Sequence, residues 1–556
     1  MSDSNDTATP WWKRATGYQI YPRSFADSNG DGVGDIPGIV SRLDHLADLG
    51  VGFVWLSPVY RSPMADNGYD ISDYEAIAPE FGTMADFERL VAEARRRGIG
   101  IVMDLVVNHT SDEHAWFVDA RASRDAARRD FYVWRDPAPG GGPPTDQQSF
   151  FGGPAWTLDE PTGQYYLHLF DPKQPDLNWE NPAVRQAIWA MMNRWLDRGI
   201  AGFRMDVIDL VGKDPDRDIT FDGPRLHEYL KEMHRETLAG RDVVTVGETW
   251  SATPETALLY SGRERRELSM VFQFEHVTAL WHPERGKWDP VPFDLPTLKR
   301  VLNKWQAALA EDGWNSLFWS NHDLPRAVST YGDDGRYRVR SAKLLATVLH
   351  LMRGTPYVYQ GEELGMTNAG FTELSQYRDV ETLNHHRIAT AAGTSAEAFL
   401  AAAARTGRDN ARTPMPWANA PHGGFTTGEP WIEANRTVDE INAEAAVADP
   451  DSVFAHYRAL IRSRRAHPIV VEGEYAPFAE DHPSVLAYAR RLDGRRLSVI
   501  ANFSDRAADF DVPEGLAVTG ECLSANLEPR TSMTGTERLA PWEAYAVLSR
   551  GQDAPG

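Results

Sequence analysis

The 556-residue chain has one cysteine, Cys522, so no intrachain disulfide can form and no structural zinc site can be built from several thiolates. That scarcity predicts a reducing compartment. No run approaches the eighteen or so apolar residues that a membrane span needs. The opening, MSDSNDTATPWWKR, is polar and lacks the apolar centre of a secretory signal, so a cytoplasmic protein is expected. Positive charge is short too. Lysine and arginine total 57 against 80 aspartate and glutamate, a net charge of -23, which argues against nucleic acid or anionic membrane as partner and for a neutral small substrate.

What is present fits a soluble globular protein, with 42% hydrophobic and 25% charged residues. The length exceeds what one hydrophobic core supports, which predicts two or three structural units. The 18 tryptophans, 19 tyrosines and 22 phenylalanines could line a carbohydrate site, but the expectation is that most of them fill cores.

Short apolar runs recur along the chain: GYQIY at 17–21, GFVWL at 52–56, GIVMDLVVN at 100–108, AGFRMDV at 201–207, VVTVGE at 243–248, SMVFQF at 269–274, NSLFWSN at 315–321 and TPYVYQG at 355–361. They are rich in Val, Ile, Phe and Tyr without strict polar alternation, the pattern of strands buried on both faces of a parallel sheet. Helical patterns lie between them, among them IVSRLDHLADLG, ADFERLVAEARRRG, RQAIWAMMNRWLDRG and KRVLNKWQAALAEDG, several closed by a stopping glycine. Thr83 and Asp86 form a capping box for the second. Eight strands alternating with helices predict an α/β fold of the (β/α)₈ TIM-barrel type.

Two intervals are too long to be simple connections. Residues 107–175 contain PAPGGGPPT and no long helical pattern, so an inserted B domain is expected after strand three. Residues 362–452, with the alanine-rich AEAFLAAAARTG, form an insertion before a last barrel helix at 453–466. The barrel thus comprises 1–106 and 176–470, and alternating apolar patterns over 471–556 predict a C-terminal antiparallel β-sandwich.

In a (β/α)₈ barrel the active site forms at the C-terminal ends of the strands. There the sequence places Asp104, Asn108 and His109 on strand three, Arg204 and Asp206 on strand four, Glu248 on strand five, and His322 and Asp323 on strand seven. A lone Asp at a strand end is usually a cap or salt-bridge partner, and Asp104 is read as such a structural residue. Asp206, Glu248 and Asp323 at three different strand ends point to chemistry, because glycoside hydrolysis requires a pair of carboxyl groups around the scissile bond. Arg204, two residues before Asp206 on a strand, faces the same side and is expected to hold Asp206 ionised. Glu248 is expected to keep its proton in a less polar setting beside Asp206.

The segments DLVVNHT, GFRMDVIDL, VGETW and SNHDLPR resemble, in order, the four signature regions of the α-amylase superfamily. QPDLNW at 174–179, DNGYDISDY at 66–74, YQGEELGMTN at 359–368 and RDNARTPMPW at 408–417 further resemble its oligo-1,6-glucosidase and dextran glucosidase branch. The resemblance implies that Asp206 is the nucleophile, Glu248 the acid and then base, and Asp323 the stabiliser of the oxocarbenium-like transition state. It implies that His109 and His322 bind glucose hydroxyls, and that Asp66, Tyr69 and Arg412 hold the terminal glucose and close the far end of the pocket. Phe170, Val207, Lys287 and Glu381 complete the implied substrate contacts, Val207 marking α-1,6 rather than α-1,4 activity. One departure is Pro416, where relatives commonly carry glutamine in this motif, and it bears on the local loop shape.

DSNGDGVGD sets Asp27, Asn29 and Asp31 at alternate positions, then Asp35, a spacing similar to the start of a calcium loop but without the glutamate twelve positions from its start. With Val33, the resemblance implies a structural Ca²⁺ or Mg²⁺ at these residues and no catalytic cofactor. The implied protein is a monomeric, retaining, exo-acting α-glucosidase acting on short α-1,6-linked glucosaccharides. α-1,4-Glucosidase, sucrose-isomerising and glucosyl-transferring or phosphorolytic activities share these regions and stay open. A catalytically silent binding subunit is disfavoured by the complete triad and the lack of a membrane span.

Overall fold

The structure is a computed structural model, and it describes residues 9–549; the polar opening at 1–8 lies outside the described residues. Eight parallel strands form the barrel: β1 (Gly17–Ile20), β2 (Phe53–Leu56), β3 (Gly100–Leu105), β4 (Gly202–Met205), β5 (Val244–Glu248), β6 (Met270–Phe272), β7 (Ser316–Leu317) and β8 (Thr355–Tyr359). Their order is β6-β5-β4-β3-β2-β1-β8-β7, and a single parallel bridge, Val271 to Asn315, closes the ring between β6 and β7. Nearly every strand residue is buried, which is why the runs are apolar on both faces. β7 is far shorter than the 315–321 pattern because only Ser316 and Leu317 find partners on β8 and the seam to β6 is one bridge wide.

The barrel interior is filled by Phe53, Trp55, Val102, Val244, Val246, Met270, Phe272 and Tyr357. These large side chains fit because small residues sit among them: a Cβ on Gly17 would lie 2.7 Å from the Phe53 ring and 2.8 Å from that of Tyr357. Gly202, which opens the strand carrying Arg204, has φ +145°, and a Cβ there would meet the Val244 carbonyl oxygen at 1.7 Å.

The helix over Met84–Arg96 starts at Thr83 with both hydrogen bonds of the capping box to Asp86. The pattern at 39–50 is two helices, Ile36–Ser41 and Leu43–Leu49, separated at Arg42. After β3, the excursion carries a three-stranded antiparallel sheet centred on Gln164–Leu167. After β8, helices Val380–Ala391 and Ala396–Thr406 precede the last barrel helix, Val453–Ala466. The C-terminal unit pairs a six-stranded antiparallel sheet with a two-stranded one. Phe510 and Leu539 from the smaller sheet pack against Val485, Ile500, Tyr545 and Val547 from the larger, and the Tyr488 hydroxyl donates to the Val348 carbonyl on the adjoining barrel helix at 2.8 Å. No described helix is long and apolar enough to cross a membrane.

Candidate active site

Strand geometry brings the polar strand ends to one rim. Arg204 points inward from β4 with its guanidinium over Trp55, 4.8 Å from guanidinium carbon to ring centre. It contacts three carboxylates: Asp104 at 2.8 Å, Asp206 at 2.7 Å and Glu248 at 2.6 Å. Asp104 also accepts from Trp55 Nε1 at 3.0 Å and the Tyr69 hydroxyl at 2.9 Å, so it has no free face toward a substrate and orients its neighbours. Asp206 and Glu248 both line a cavity of about 930 Å³.

The electrostatics differ from the sequence expectation at Asp206. Burial raises its pKa well above the usual carboxylate value; Arg204 pulls it down, but Glu248 and Asp104 push it up again. One guanidinium cannot neutralise three buried carboxylates, so like-charge repulsion adds to burial in raising Asp206. Nor is the setting of Glu248 apolar. Beside Arg204, it accepts from the Val207 amide at 3.0 Å and from Trp250 Nε1 at 3.1 Å.

The Val207 contact depends on backbone shape. Val207 sits at φ 35°, ψ 46°, a left-handed conformation rarely held by a β-branched residue and typical of strained functional positions. That turn aims its amide at Glu248 while its side chain, 6% exposed, lines the cavity.

The far end of the cavity is closed by charge. Asp323 Oδ1 accepts from Arg412 Nη2 at 2.8 Å and Arg408 Nη1 at 3.2 Å. Burial would raise the Asp323 pKa, but His322 beside it and then the guanidinium groups of Arg408, Arg412 and Arg204 hold it far below the carboxylate range. Arg408 also donates to Asp66 at 3.2 Å and to Asp379 at 2.6 Å. It lies 3.4 Å from Glu381 and stacks on Phe151 at 4.8 Å. Asp66, which also accepts from Gln174 at 3.2 Å, is pushed up to about 7, burial outweighing Arg408 and Arg412.

Both histidines are neutral donors. Burial lowers His109 to about 4 and His322 to about 3. The Gln19 amide lies 2.8 Å from His322 Nδ1, which leaves Nε2–H buried without a hydrogen-bond partner, 3.3 Å from Asp323 Oδ2. Tyr69 stacks on His322 at 5.2 Å, and Phe170 lies against His109 at 5.1 Å. A sugar hydroxyl is the natural partner for an orphaned buried donor of this kind.

The structure thus gathers Asp66, Tyr69, His109, Phe170, Asp206, Val207, Glu248, Lys287, Asp323 and Glu381 along one cavity wall. Lys287 and Glu381 are not separate surface charges; they form a 2.6 Å ion pair at the mouth. Arg204, His322 and Arg412, also expected at the site, lie behind this lining, and Arg412 is the one of them expected to close the pocket end. It is 1% exposed, donates to the His322 carbonyl, and supports Asp323 from behind. Arg408, one helical turn earlier in the same motif, occupies the position expected of it. Sequence reasoning also passes over Gln174, Trp250 and Asp379. Gln174 and Arg408 stand at the heads of QPDLNW and RDNARTPMPW, and that placement is the signal that points to them. Pro416 does not line the cavity; its carbonyl accepts from the Ala443 amide.

An arginine bridging the acid pair at the ends of β4 and β5, opposite a third carboxylate after β7, is an arrangement that can be compared with known proteins. Residues 19–473 match the family described as Alpha amylase, catalytic domain. The chain belongs to the α-amylase family. Residues 475–545 match a domain of unknown function, DUF3459. A palatinase from Erwinia rhapontici is 57% identical over 97% of this chain and 99% of its own length. An oligo-1,6-glucosidase from Halalkalibacterium halodurans is 52% identical over 98% and 100%. The crystal structure of Bacillus licheniformis trehalose-6-phosphate hydrolase superposes with a TM-score of 0.92 at 46% identity, covering 98% of this chain and 100% of that one. The protein is therefore an α-amylase-family glycoside hydrolase, and the three relatives carry three different substrate names on one scaffold.

The loop at 27–35 stands apart from this cavity. Asp27 Oδ1 accepts from the amides of Asn29 and Gly30, and Oδ2 from the Gly32 amide and the Thr426 hydroxyl. Asp35 caps the helix at Ile36 and accepts from Ser28. Asn29 and Asp31 each accept one amide and keep lone pairs free. Among the described residues no group of three or more His, Cys, Asp or Glu side chains is arranged as a metal cluster. The loop matches a hard cation in donor type, but its own hydrogen bonds already hold it.

Proposed function

We propose that the protein is a retaining, exo-acting α-glucosidase that releases glucose from the non-reducing ends of short α-1,6-linked glucosaccharides. The observation that carries this reading is the closed end of the cavity. Asp66 and Arg408, both buried, and the half-buried Asp323 are locked together at this end; they leave room for one terminal sugar and hydroxyl partners for it, so a chain cannot pass through. The Asp206 carboxylate bonds to C1 as the C1–O bond breaks, and Glu248 passes its proton to the departing oxygen. A water then attacks C1 from the vacated side, the C1–O bond to Asp206 breaks and frees its carboxylate, and the water passes a proton back to Glu248. Arg204 balances whichever member of the pair is ionised.

The linkage preference rests on Val207, whose branched side chain stands beside the acid on the leaving-group side. A 1,6-linked ring, held through a flexible exocyclic carbon, avoids it more readily than a 1,4-linked ring does. Shape discrimination of this kind supplies about 1–3 kcal/mol, so a strong preference rather than exclusion is expected. The test is kcat/KM for isomaltose, maltose, trehalose and sucrose in the wild type and in Val207→Thr and Val207→Ala. Preference for maltose in the wild type, or no gain in maltose relative to isomaltose in either variant, defeats the α-1,6 reading.

We infer that the 27–35 loop takes Ca²⁺ or Mg²⁺ as a stabiliser, supported by the free oxygens of Asn29 and Asp31 and by the alternate spacing of donors. Because the loop is already hydrogen-bonded, an ion adds stability by mass action. Chelation should lower Tm while initial rates stay nearly constant. An unchanged Tm in protein shown to be metal-free counts against the ion.

A further inference from the structure

Cations are the minority charge in this chain, 57 lysines and arginines against 80 carboxylates, and Arg204 and Arg408 at the catalytic rim each meet several acidic partners. At the opposite, N-terminal face of the barrel the balance reverses. A second hollow of about 330 Å³, at the lower end of the range for small-molecule sites, lies between the helix Trp11–Arg14 and the chain entering β5, β6, β7 and β8. Lys13, Arg263, Arg266 and Arg353 line it together with Trp12 and Trp314. Among the described residues none of these four cations forms an ion pair with a carboxylate.

The hollow is held in shape from behind. Trp314 Nε1 donates to the Thr355 hydroxyl at 2.9 Å, and that hydroxyl donates to the Trp12 carbonyl at 3.0 Å. Two cations share the Trp314 ring, Lys13 Nζ at 4.5 Å and the Arg353 guanidinium carbon at 4.8 Å from its centre. Arg353 is further fixed by donating to the Leu309 carbonyl at 2.8 Å. Burial, then Arg353 and Arg263, pull the Lys13 ammonium down to about 8, as crowded positive charge does when no anion relieves it. Behind Lys13, the buried Arg464 donates to its carbonyl at 2.6 Å and keeps Nε and Nη1 without partners. The carboxylates on this side are engaged elsewhere or open to water. Glu267 is held by His227 at 2.7 Å and Arg265 at 2.8 Å, Asp312 accepts the Arg263 amide at 3.1 Å, and Glu311 is exposed.

An ammonium and a guanidinium fork converging on one hollow suit the oxygens of a phosphate group, and the half-buried Trp12 offers a flat apolar surface to whatever the phosphate carries. We propose that this hollow is a binding site for phosphate, free or as the monoester of a small sugar, with the phosphoryl oxygens on Lys13 and Arg263 and the charges of Arg266 and Arg353 adding to the attraction. The site is at the far end of β5 from Glu248, so its occupant enters no bond-breaking step. It acts by stabilising the folded barrel through mass action.

The experiment is calorimetric titration and Tm measurement with inorganic phosphate and with glucose 6-phosphate. Saturable binding with a Kd of about 1 mM or tighter, accompanied by a rise in Tm, is expected for at least one of them. Lys13→Gln and Arg263→Gln should each weaken that binding about tenfold or more, the effect of losing one charge-assisted contact. If Lys13→Gln does not fold, Arg263→Gln and Arg266→Gln, both at exposed positions, carry the comparison. Tighter binding of glucose 6-phosphate than of inorganic phosphate identifies a sugar phosphate as the occupant, and equal affinities identify free phosphate. No saturable binding of either overturns the proposal. Binding that the substitutions leave unchanged overturns it too, because the anion then sits elsewhere, the catalytic cavity included.

Discussion

Asp206→Ala should lower turnover of isomaltose by about 10⁴-fold or more, the scale seen when a covalent nucleophile is removed. Azide should restore activity by attacking C1 from the vacated face, giving β-glucosyl azide, a product with inverted configuration. Glu248→Gln should behave differently. Its loss on isomaltose should be about 10²- to 10⁴-fold, the usual contribution of a general acid. On an aryl glucoside whose leaving group needs no proton, glycosyl transfer should be far less affected. Glutamine is the better probe than alanine here, because alanine would also strip the acceptor from the Val207 amide and Trp250 Nε1 and add an unsatisfied-donor penalty to the kinetic one. Equal losses on both substrates in Glu248→Gln would remove it from the acid role. A wild-type-like Asp206→Ala would remove the covalent mechanism.

The second large effect is expected at Arg408. This guanidinium serves Asp66, Asp323 and Asp379 at once and sits near Glu381. Arg408→Ala leaves several buried carboxylates without their common cation, and breaking a buried pair costs about 3–5 kcal/mol. A fall in Tm and a loss of about 10³-fold or more in kcat/KM should follow. The pH dependence separates a site role from mere destabilisation. Asp66 is already raised to about 7 by burial, with Arg408 pulling against that rise. Without Arg408 its pKa moves further up, so at neutral pH more of it is protonated and a weaker acceptor for a sugar hydroxyl. The acid limb of kcat/KM should therefore shift to higher pH, and the variant should recover part of its activity as pH rises above 7. Arg408→Lys, which keeps the charge but loses the two-pronged geometry, should fall between. Arg412→Lys should depress kcat through Asp323 without moving that limb. An unshifted pH profile in Arg408→Ala would show that Asp66 and Arg408 do not act together on the substrate.

Much of the site is legible in the amino-acid sequence because of two regularities. In a strand, residues two apart share a face, so Arg204 and Asp206 have to point the same way. In a closed parallel barrel, every strand end reaches the same rim, so the positions of Asp206, Glu248 and Asp323 along the chain are enough to bring them together. Thr83 and Asp86 are readable for a similar reason, since a capping box is a contact over three residues.

Local pattern does not decide anything set by packing between distant segments. Arg408 and Arg412 lie one helical turn apart in one motif. Which of them enters the cavity depends on how the short helix Asp409–Arg412 seats against the chain after β7. Lys287 and Glu381 are 94 residues apart, and they pair only because the insertion after β8 folds back over the hairpin after β6. The pKa of Asp206 runs against the sequence expectation because a neighbouring arginine is visible in sequence, while the depth of burial and the number of carboxylates sharing that arginine are not. The left-handed turn at Val207 opposes local preference outright, and only the surrounding barrel holds it. Composition and spacing thus settle which chemical groups reach the rim; the tertiary structure alone decides their partners, their charge and the space left for a substrate.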